Sequence, residues 1–352
     1  MNERLLYSEC ESKKKKKEVF HLPAPSCENH HDIGKKKKKC SMTNLTTTTI
    51  NTTTTRGIPK ISKFDKKLSF LGKGISGYVQ LYQTRNPLGL SKTRVSCTPT
   101  LYAVKVALDK DSDELLHEYY VLKELGCHQN IITVYKYEPL SFSSSKAKLY
   151  MEAARSENLH TMLKNMLNHN EQELYCIWKQ IVNGVQYLHE LDICHRDLKL
   201  ENLVFDLDFK FIKIIDFATA HKLKTKDELS VGLVGSKKYA APETFASLKY
   251  DGKAADMWAL GIICYYIFNG RRFPWSMAHH SDVDYMEYKE LGTLLPMEQV
   301  NSDKFKHVIS NLLLPDQLER YSIYKVYKSF IEVKSCTCDT TCGFDHKHTF
   351  GK

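Results

Sequence analysis

Asp197 is followed at offsets of two and five residues by Lys199 and Asn202, and Asp216 comes fourteen residues after Asn202. A lone aspartate near a lysine and an asparagine means little. These four together supply what phosphoryl transfer requires. One carboxylate orients an acceptor hydroxyl, a cation balances charge on the moving phosphoryl group, and an amide with a second carboxylate holds Mg²⁺.

Such groups must be delivered by rigid elements. Residues 171–190 carry Leu174, Trp178, Ile181, Val182, Val185 and Leu188 at helical spacing, so a long amphipathic helix is expected to lead into the Asp197 loop. Residues 111–125 repeat the pattern with Leu115, Tyr119, Leu122 and Leu125. Residues 68–82 read as strand, turn, strand around Gly72, Gly74 and Gly77, glycines that let the backbone and its N–H groups approach phosphates. A Gly-x-Gly-x-x-Gly run also marks dinucleotide-binding folds, but here a strand follows the third glycine and Val79 comes two residues later. The run 101–106 is a short strand with one lysine, Lys105, inside it. That lysine is either an edge-strand solubility device or a functional cation.

The run His195-Arg196-Asp197-Leu198-Lys199-Leu200-Glu201-Asn202, followed by Asp216-Phe217, resembles the signature of eukaryotic serine/threonine protein kinases. The resemblance extends from about residue 64 to 333 and implies an α+β, bilobal protein kinase fold with a small β-rich N-lobe and a larger helical C-lobe. It implies an ATP site built from Leu71, Gly72, Lys73, Gly74, Ile75, Ser76, Gly77, Tyr78 and Val79. Ala103, Lys105, its partner Glu118, and the linker residues Met151, Glu152 and Ala154 complete that site. Asp197 and Lys199 become the catalytic pair, and Asn202 and Asp216 the ligands of Mg²⁺, with Mn²⁺ as an alternative. Lys199 is the form typical of serine/threonine rather than tyrosine kinases. Asp256 is expected to hold the catalytic loop, and Arg320 to pair with Glu243. One departure stands out: the family's Asp-Phe-Gly is here Asp216-Phe217-Ala218. Alanine preserves the carboxylate but restricts the backbone, so a pseudokinase scaffold acting by protein binding is the rival reading. Retention of Lys105, Glu118, Asp197, Asn202 and Asp216 argues against it.

Residues 216–243 have the length of an activation loop and end in Ala241-Pro242-Glu243. Ser236, in Gly-Ser-x-x-Tyr, is expected to hydrogen-bond the catalytic Asp and Lys. Arg196 is the expected docking cation for a phosphate, and Ser230 the candidate phosphosite. Arg271-Arg272-Phe273-Pro274-Trp275-Ser276-Met277-Ala278, with Asp282, Tyr285 and Tyr288, is similar to the fungal nitrogen-permease-reactivator and halotolerance kinases. That subgroup resemblance implies control of plasma-membrane nutrient or ion transporters.

The flanks differ from the body. Residues 1–60 carry 13 Lys and Arg against 6 Asp and Glu, whereas the remainder carries 38 against 35, so the basic character sits at the N-terminus. Five-lysine runs at 13–17 and 35–39 and threonine runs at 46–49 and 52–55 predict a disordered tail over 1–63. A solvated tail is the preferred reading, and contact with an anionic membrane surface the alternative. Nucleic acid is not expected as the main partner, because the body is nearly neutral and carries no recognisable nucleic-acid motif. At the other end, over 334–352, Cys336, Cys338, Cys342, His346 and His348 cluster. Zinc favours such sets, but the spacing is not that of a standard finger, and a polar tail with reduced thiols is preferred. The 11 cysteines form no regular framework and no apolar leader is visible, so a monomeric, cytoplasmic protein is expected, with nuclear or membrane-peripheral residence as alternatives.

Overall fold

The computed structural model describes residues 59, 61–74, 77–84, 100–108, 113–141, 146–165, 171–291 and 295–331. Five antiparallel strands form the N-terminal sheet: β1 (Lys66–Lys73), β2 (Gly77–Gln83), β3 (Leu101–Ala107), β4 (Val134–Glu138) and β5 (Lys148–Glu152), in the order β1-β2-β3-β5-β4. Helix α1 (Asp113–Leu125) packs on one face, burying Leu115, Glu118, Val121, Leu122 and Leu125 along one helical stripe. Acidic Asp113 and Glu114 in its first turn and Lys123 in its last complement the helix dipole. The opposite face of the sheet is a layer of Tyr102, Val104, Val106 and Tyr150, with Ile61, Tyr78, Tyr82 and Tyr135 packed against it. The period-2 alternation of β3 thus sends Tyr102, Val104 and Val106 one way and Ala103, Lys105 and Ala107 the other.

The larger helical part begins with β6 (Ala154–Asn158) and α2 (Leu159–Asn165), and continues into α3 (Glu171–Glu190). A short pair, β7 (Ile193–Cys194) with β10 (His221–Lys222), flanks in the chain two strands of the sheet β6-β8-β9, in which β8 is Leu203–Asp206 and β9 is Ile212–Ile214. Next come β11 (Ser230–Val231), α4 (Pro242–Ala246) and β12 (Lys249–Tyr250), which pairs with β11. Helix α5 (Gly252–Phe268) buries every residue except Lys253, as expected of a helix that is apolar all round. Asp251 caps it, accepting from the backbone N–H groups of Lys253 at 2.8 Å and Ala254 at 3.1 Å. Helices α6 (Val283–Leu291), α7 (Asp303–Leu312) and α8 (Ile323–Ile331) complete the lobe, α7 against α5 and α8 against α3. No described helix is long and apolar enough to cross a membrane.

Candidate active site

Strand register builds the nucleotide wall. Val79 lies opposite Lys105, and Ala103 opposite Met151, so these side chains share the face toward α1. Leu71, Val79 and Ala154 pack, partly buried, on the core that contains Ala103 and Met151. An apolar slot with main-chain groups at its rim suits a purine ring. The turn between β1 and β2 is closed by Gly74 N–H donating to Gly77 O at 2.8 Å. At Gly77 a Cβ would sit 2.6 Å from the carbonyl oxygen of Val106, so only glycine lets β2 press this closely on β3. Ile75 and Ser76 lie outside the described residues, and Lys73 is exposed. Two expected nucleotide contacts point elsewhere. The Tyr78 ring joins the outer tyrosine layer, because residue 78 faces opposite to residue 79. The Glu152 carboxylate is held by Lys213 at 3.0 Å and accepts from Thr133 N–H at 3.2 Å, and its own N–H donates to Thr133 O at 2.8 Å, so its side chain does not serve the slot.

Lys105 is buried and bridges two carboxylates, Glu118 Oε2 at 2.6 Å and Asp216 Oδ1 at 2.9 Å. Burial alone would lower the lysine pKa. The two carboxylates outweigh it and hold the ammonium charged, with its pKa well above the ordinary value. Burial likewise opposes ionisation of Asp216, yet Lys105, with His195 and Lys199 farther off, brings its pKa below the usual carboxylate range. The other Glu118 oxygen accepts from Phe217 N–H at 3.2 Å, so α1 is fastened to the Asp-Phe segment as well as to β3. Phe217 itself is fully buried, 4.8 Å from the His195 ring.

The catalytic loop is suspended from α5. Asp256 accepts the backbone N–H groups of His195 and Arg196, each at 2.8 Å, and also contacts His189 Nε2 at 3.0 Å. These bonds support the left-handed backbone of Arg196, φ 64°, which an L-residue adopts only at a cost of roughly 1–2 kcal/mol. Asp197 is thereby aimed so that Oδ2 meets Lys199 Nζ at 2.6 Å, while Oδ1 is buried with no partner in the protein. Asn202 donates to Asp197 O at 2.9 Å and Oδ2 at 3.3 Å, leaving its amide oxygen as a ligand. An amide oxygen and the ionised Asp216 carboxylate are the hard donors Mg²⁺ prefers, so these residues fit the metal that this chemistry implies. The orphaned Asp197 Oδ1 fits an incoming hydroxyl.

The protein kinase domain profile matches residues 66–331. This chain belongs to the protein kinase family. It is similar to serine/threonine-protein kinase HAL4/SAT4 of Saccharomyces cerevisiae, 32% identical over 293 residues, covering 78% of this chain and 47% of that protein. Serine/threonine-protein kinase hal4 of Schizosaccharomyces pombe is 27% identical over 285 residues, covering 76% and 43%. Serine/threonine-protein kinase oca2 of the same yeast is 34% identical over 232 residues, covering 62% and 33%. The chain thus spans less than half the length of these relatives. The two HAL4 kinases fall in the fungal group that the 271–288 stretch resembles.

The kinase domain's activation segment is tied down along its length. His117 on α1 contacts Ala220 O at 2.8 Å, a link that only tertiary packing reveals, since a histidine beside Glu118 carries no sequence signal. Lys222 on β10 pairs with Glu124 of α1 at 2.8 Å. Ser236 donates no direct bond to Asp197. Its Oγ meets Lys199 Nζ at 2.9 Å, so it reaches the aspartate through the lysine. Gly235, φ 89°, lies so close to the loop that a Cβ would stand 2.6 Å from Arg196 O and 3.2 Å from Asp197 Oδ1.

One regulatory expectation needs correction. Ser230 is not an open phosphosite in this conformation. It is fully buried on β11, and its hydroxyl is 3.0 Å from His221 Nδ1 and packed over Gly252. Arg196 is tied to the activation segment, Nε donating to Thr219 O at 2.7 Å and Nη1 to Val231 O at 3.0 Å, two of its five N–H donors. Ala218 is not among the non-glycine residues with positive φ, so the family's missing glycine is not needed for its backbone here, whereas Asp216 beside it has φ 64°.

The subgroup stretch turns out to be a packing device. Trp275 stacks on Trp258 at 5.5 Å and meets Tyr285 at 5.2 Å and Tyr288 at 5.3 Å. Asp282 accepts from the N–H groups of Ser276 at 2.9 Å and Tyr285 at 3.1 Å, seating α6 against α5. Arg320 clasps Glu243 with two bonds of 2.6 and 2.7 Å, as expected. The cluster Cys336, Cys338, Cys342, His346 and His348 lies outside the described residues, as do both lysine runs.

Proposed function

We propose that this chain is an active serine/threonine protein kinase that transfers the γ-phosphoryl group of ATP to hydroxyls of protein substrates. The observation that carries the reading is the closed link from Glu118 through Lys105 to Asp216, which a scaffold without catalysis would not need. When bound, Mg²⁺ supplies charge neutralisation at the phosphates, held by Asn202 and Asp216. Asp197 Oδ1 accepts the hydrogen bond of the substrate hydroxyl and takes its proton as the oxygen–phosphorus bond forms and the bond from the γ-phosphorus to the β–γ bridging oxygen breaks, releasing ADP. Lys199, fixed by Asp197 and Ser236, offsets charge on the transferring oxygens. Lys105 holds the α- and β-phosphates while Glu118 sets its position. Mn²⁺ would serve in place of Mg²⁺ with the same oxygen ligands.

The likeness of residues 271–288 to the fungal transport-regulating kinases extends the proposal to cytoplasmic segments of nutrient or ion transporters as substrates. Glu201, whose carboxylate accepts from Tyr239 OH at 3.0 Å and lies 3.8 Å from His160, supports a preference for basic residues near the acceptor. The catalytic domain is assigned to residues 64–333, monomeric and cytoplasmic, with the lysine-rich 1–63 segment as a further contact to anionic membrane. The test is phosphate transfer from labelled ATP to a generic protein, beside Asp197→Asn and Lys105→Met controls. Incorporation well above both controls is expected, and incorporation equal to theirs would overturn the enzyme reading in favour of the scaffold.

A further inference from the structure

The edge of the N-terminal sheet carries a surface that the kinase chemistry does not use. Phe64 is 63% exposed, Phe70 59% and Leu68 40%, all within a stretch of seven residues. Lys63, Lys66, Lys67 and Lys73 are exposed around them, and Lys63 Nζ lies 5.1 Å from the centre of the Phe64 ring. Asp65 is the one acid between residues 61 and 74, and it is engaged, accepting from Tyr102 OH at 2.8 Å and Ser62 N–H at 2.9 Å. Within residues 61–74 the cations therefore outnumber the acids, and the single acid is already bonded.

Register fixes which way three of these side chains face. Lys67 lies opposite Tyr82, Phe70 opposite Gln80 and Lys73 opposite Tyr78. Residues 78, 80 and 82 face away from Val79 and Lys105, on the side of the tyrosine layer. Among the described strands, β1 is also the terminal one of the sheet, paired on one side only. Lys66 lies opposite Gln83 on the other face, so it is Lys67, Phe70 and Lys73 that point away from the nucleotide wall.

We infer that this patch is a peripheral contact surface for an anionic lipid bilayer. Charge complementarity selects the partner. A bilayer interface offers negative headgroups to the lysines and acyl carbon to Phe64, Leu68 and Phe70 at the same time. The long lysine stems let the ammonium groups reach the headgroup plane while the rings go deeper. A polyanion such as RNA would meet the lysines and offer bases to Phe64 and Phe70, but it leaves the exposed aliphatic Leu68 without a partner, whereas a bilayer takes up all three apolar side chains. The surface lies in residues 63–73, a different part of the sequence from the lysine runs at 13–17 and 35–39.

The full chain contains three tryptophans, Trp178, Trp258 and Trp275, and all are buried, so a Phe70→Trp variant places the only exposed indole on the patch. With vesicles of phosphatidylcholine plus phosphatidylserine, its emission should shift to the blue and be quenched by lipids brominated on the acyl chain. Vesicles of phosphatidylcholine alone should do neither. In sedimentation with the anionic vesicles, Phe64→Ser/Phe70→Ser should lose about tenfold or more in binding, from the apolar area withdrawn. Its activity on a soluble peptide should be unchanged. An indole that the brominated lipid does not quench overturns the inference, and does so even if the double variant fails to fold. So does a folded double variant that binds vesicles as tightly as wild type, which would leave all membrane affinity to the N-terminal lysines. A spectral shift induced instead by single-stranded RNA or an acidic peptide, with none from vesicles, overturns it in favour of that partner.

Discussion

Lys105 and Glu118 meet at 2.6 Å across the gap between β3 and α1, and the same glutamate receives Phe217 N–H through its second oxygen. One carboxylate therefore connects sheet, helix and metal-binding segment. Glu118→Gln preserves the shape and removes the charge. A charge-assisted bond contributes about 1.5–3 kcal/mol, so kcat should fall about 10- to 100-fold. Steady-state kinetics at saturating ATP checks it, and an unchanged kcat would mean that Asp216 alone positions the lysine.

Gly235 holds the activation segment against Asp197 at a distance no side chain tolerates. Gly235→Ala forces a Cβ toward Arg196 O in a left-handed backbone, costing about 1–2 kcal/mol. Displacement of Asp197 should depress kcat, with the KM for ATP moving little, because the nucleotide wall is remote. Equal loss in both parameters would point to general unfolding instead.

Burial of Ser230 makes its two obvious substitutions diverge. Ser230→Ala gives up one hydrogen bond to His221, about 1 kcal/mol of stability, and should keep activity within about threefold. Ser230→Glu buries a charge and should destabilise the domain by several kcal/mol rather than activate it. Thermal melts beside kinase assays distinguish these outcomes. Activation by the glutamate would restore Ser230 as a phosphate-gated site.

Ala218 does not need positive φ, so Ala218→Gly should leave kcat nearly intact. It should lower stability by about 0.4–1 kcal/mol through the added freedom of the unfolded chain. A large gain in activity would show that alanine restrains Phe217.

His128 supplies a pH dependence. Its ring stacks on Tyr187 at 4.3 Å, and Nδ1 accepts from Asn130 N–H at 3.2 Å, which requires the unprotonated nitrogen. Burial first, and Lys213 second, lower its pKa from 6.5 to about 4. The unfolded chain thus takes up this proton at a higher pH than the folded chain does. The stabilisation is complete above pH 6.5 and declines as the pH falls from 6.5 toward 4, where the folded ring also protonates. The melting temperature should fall over that window, and less steeply in His128→Asn, whose side-chain oxygen can accept the same bond. Identical slopes would assign the acid sensitivity to other groups.

Helical spacing alone places a helix over residues 171–190, and α3 is Glu171–Glu190. Expected over 111–125, α1 is Asp113–Leu125. The grouping of Asp197, Lys199 and Asn202 was equally legible, because they are local in sequence and fixed in offset. What escaped depends on pairing between distant strands. A serine in a polar loop gives no sign that β12, twenty residues away, will cover it. The direction of the Tyr78 ring follows from register with β3, and the capture of Glu152 by Lys213 from packing of β9 beneath the lobe linker. The aromatic stretch around Trp275 carried a family likeness, while its physical task, seating α6 on α5, appeared only in three dimensions.

Helix α5 holds both the catalytic loop, through Asp256, and the Arg320–Glu243 clasp, through Ala254 O at 3.0 Å from Arg320 Nη1. The least solvent-exposed helix of the lobe is thus also its mounting rail. Thermal inactivation should then be a late, all-or-none event. The loop cannot detach while α5 stays packed, so loss of turnover on heating will coincide with melting of the helical lobe instead of preceding it.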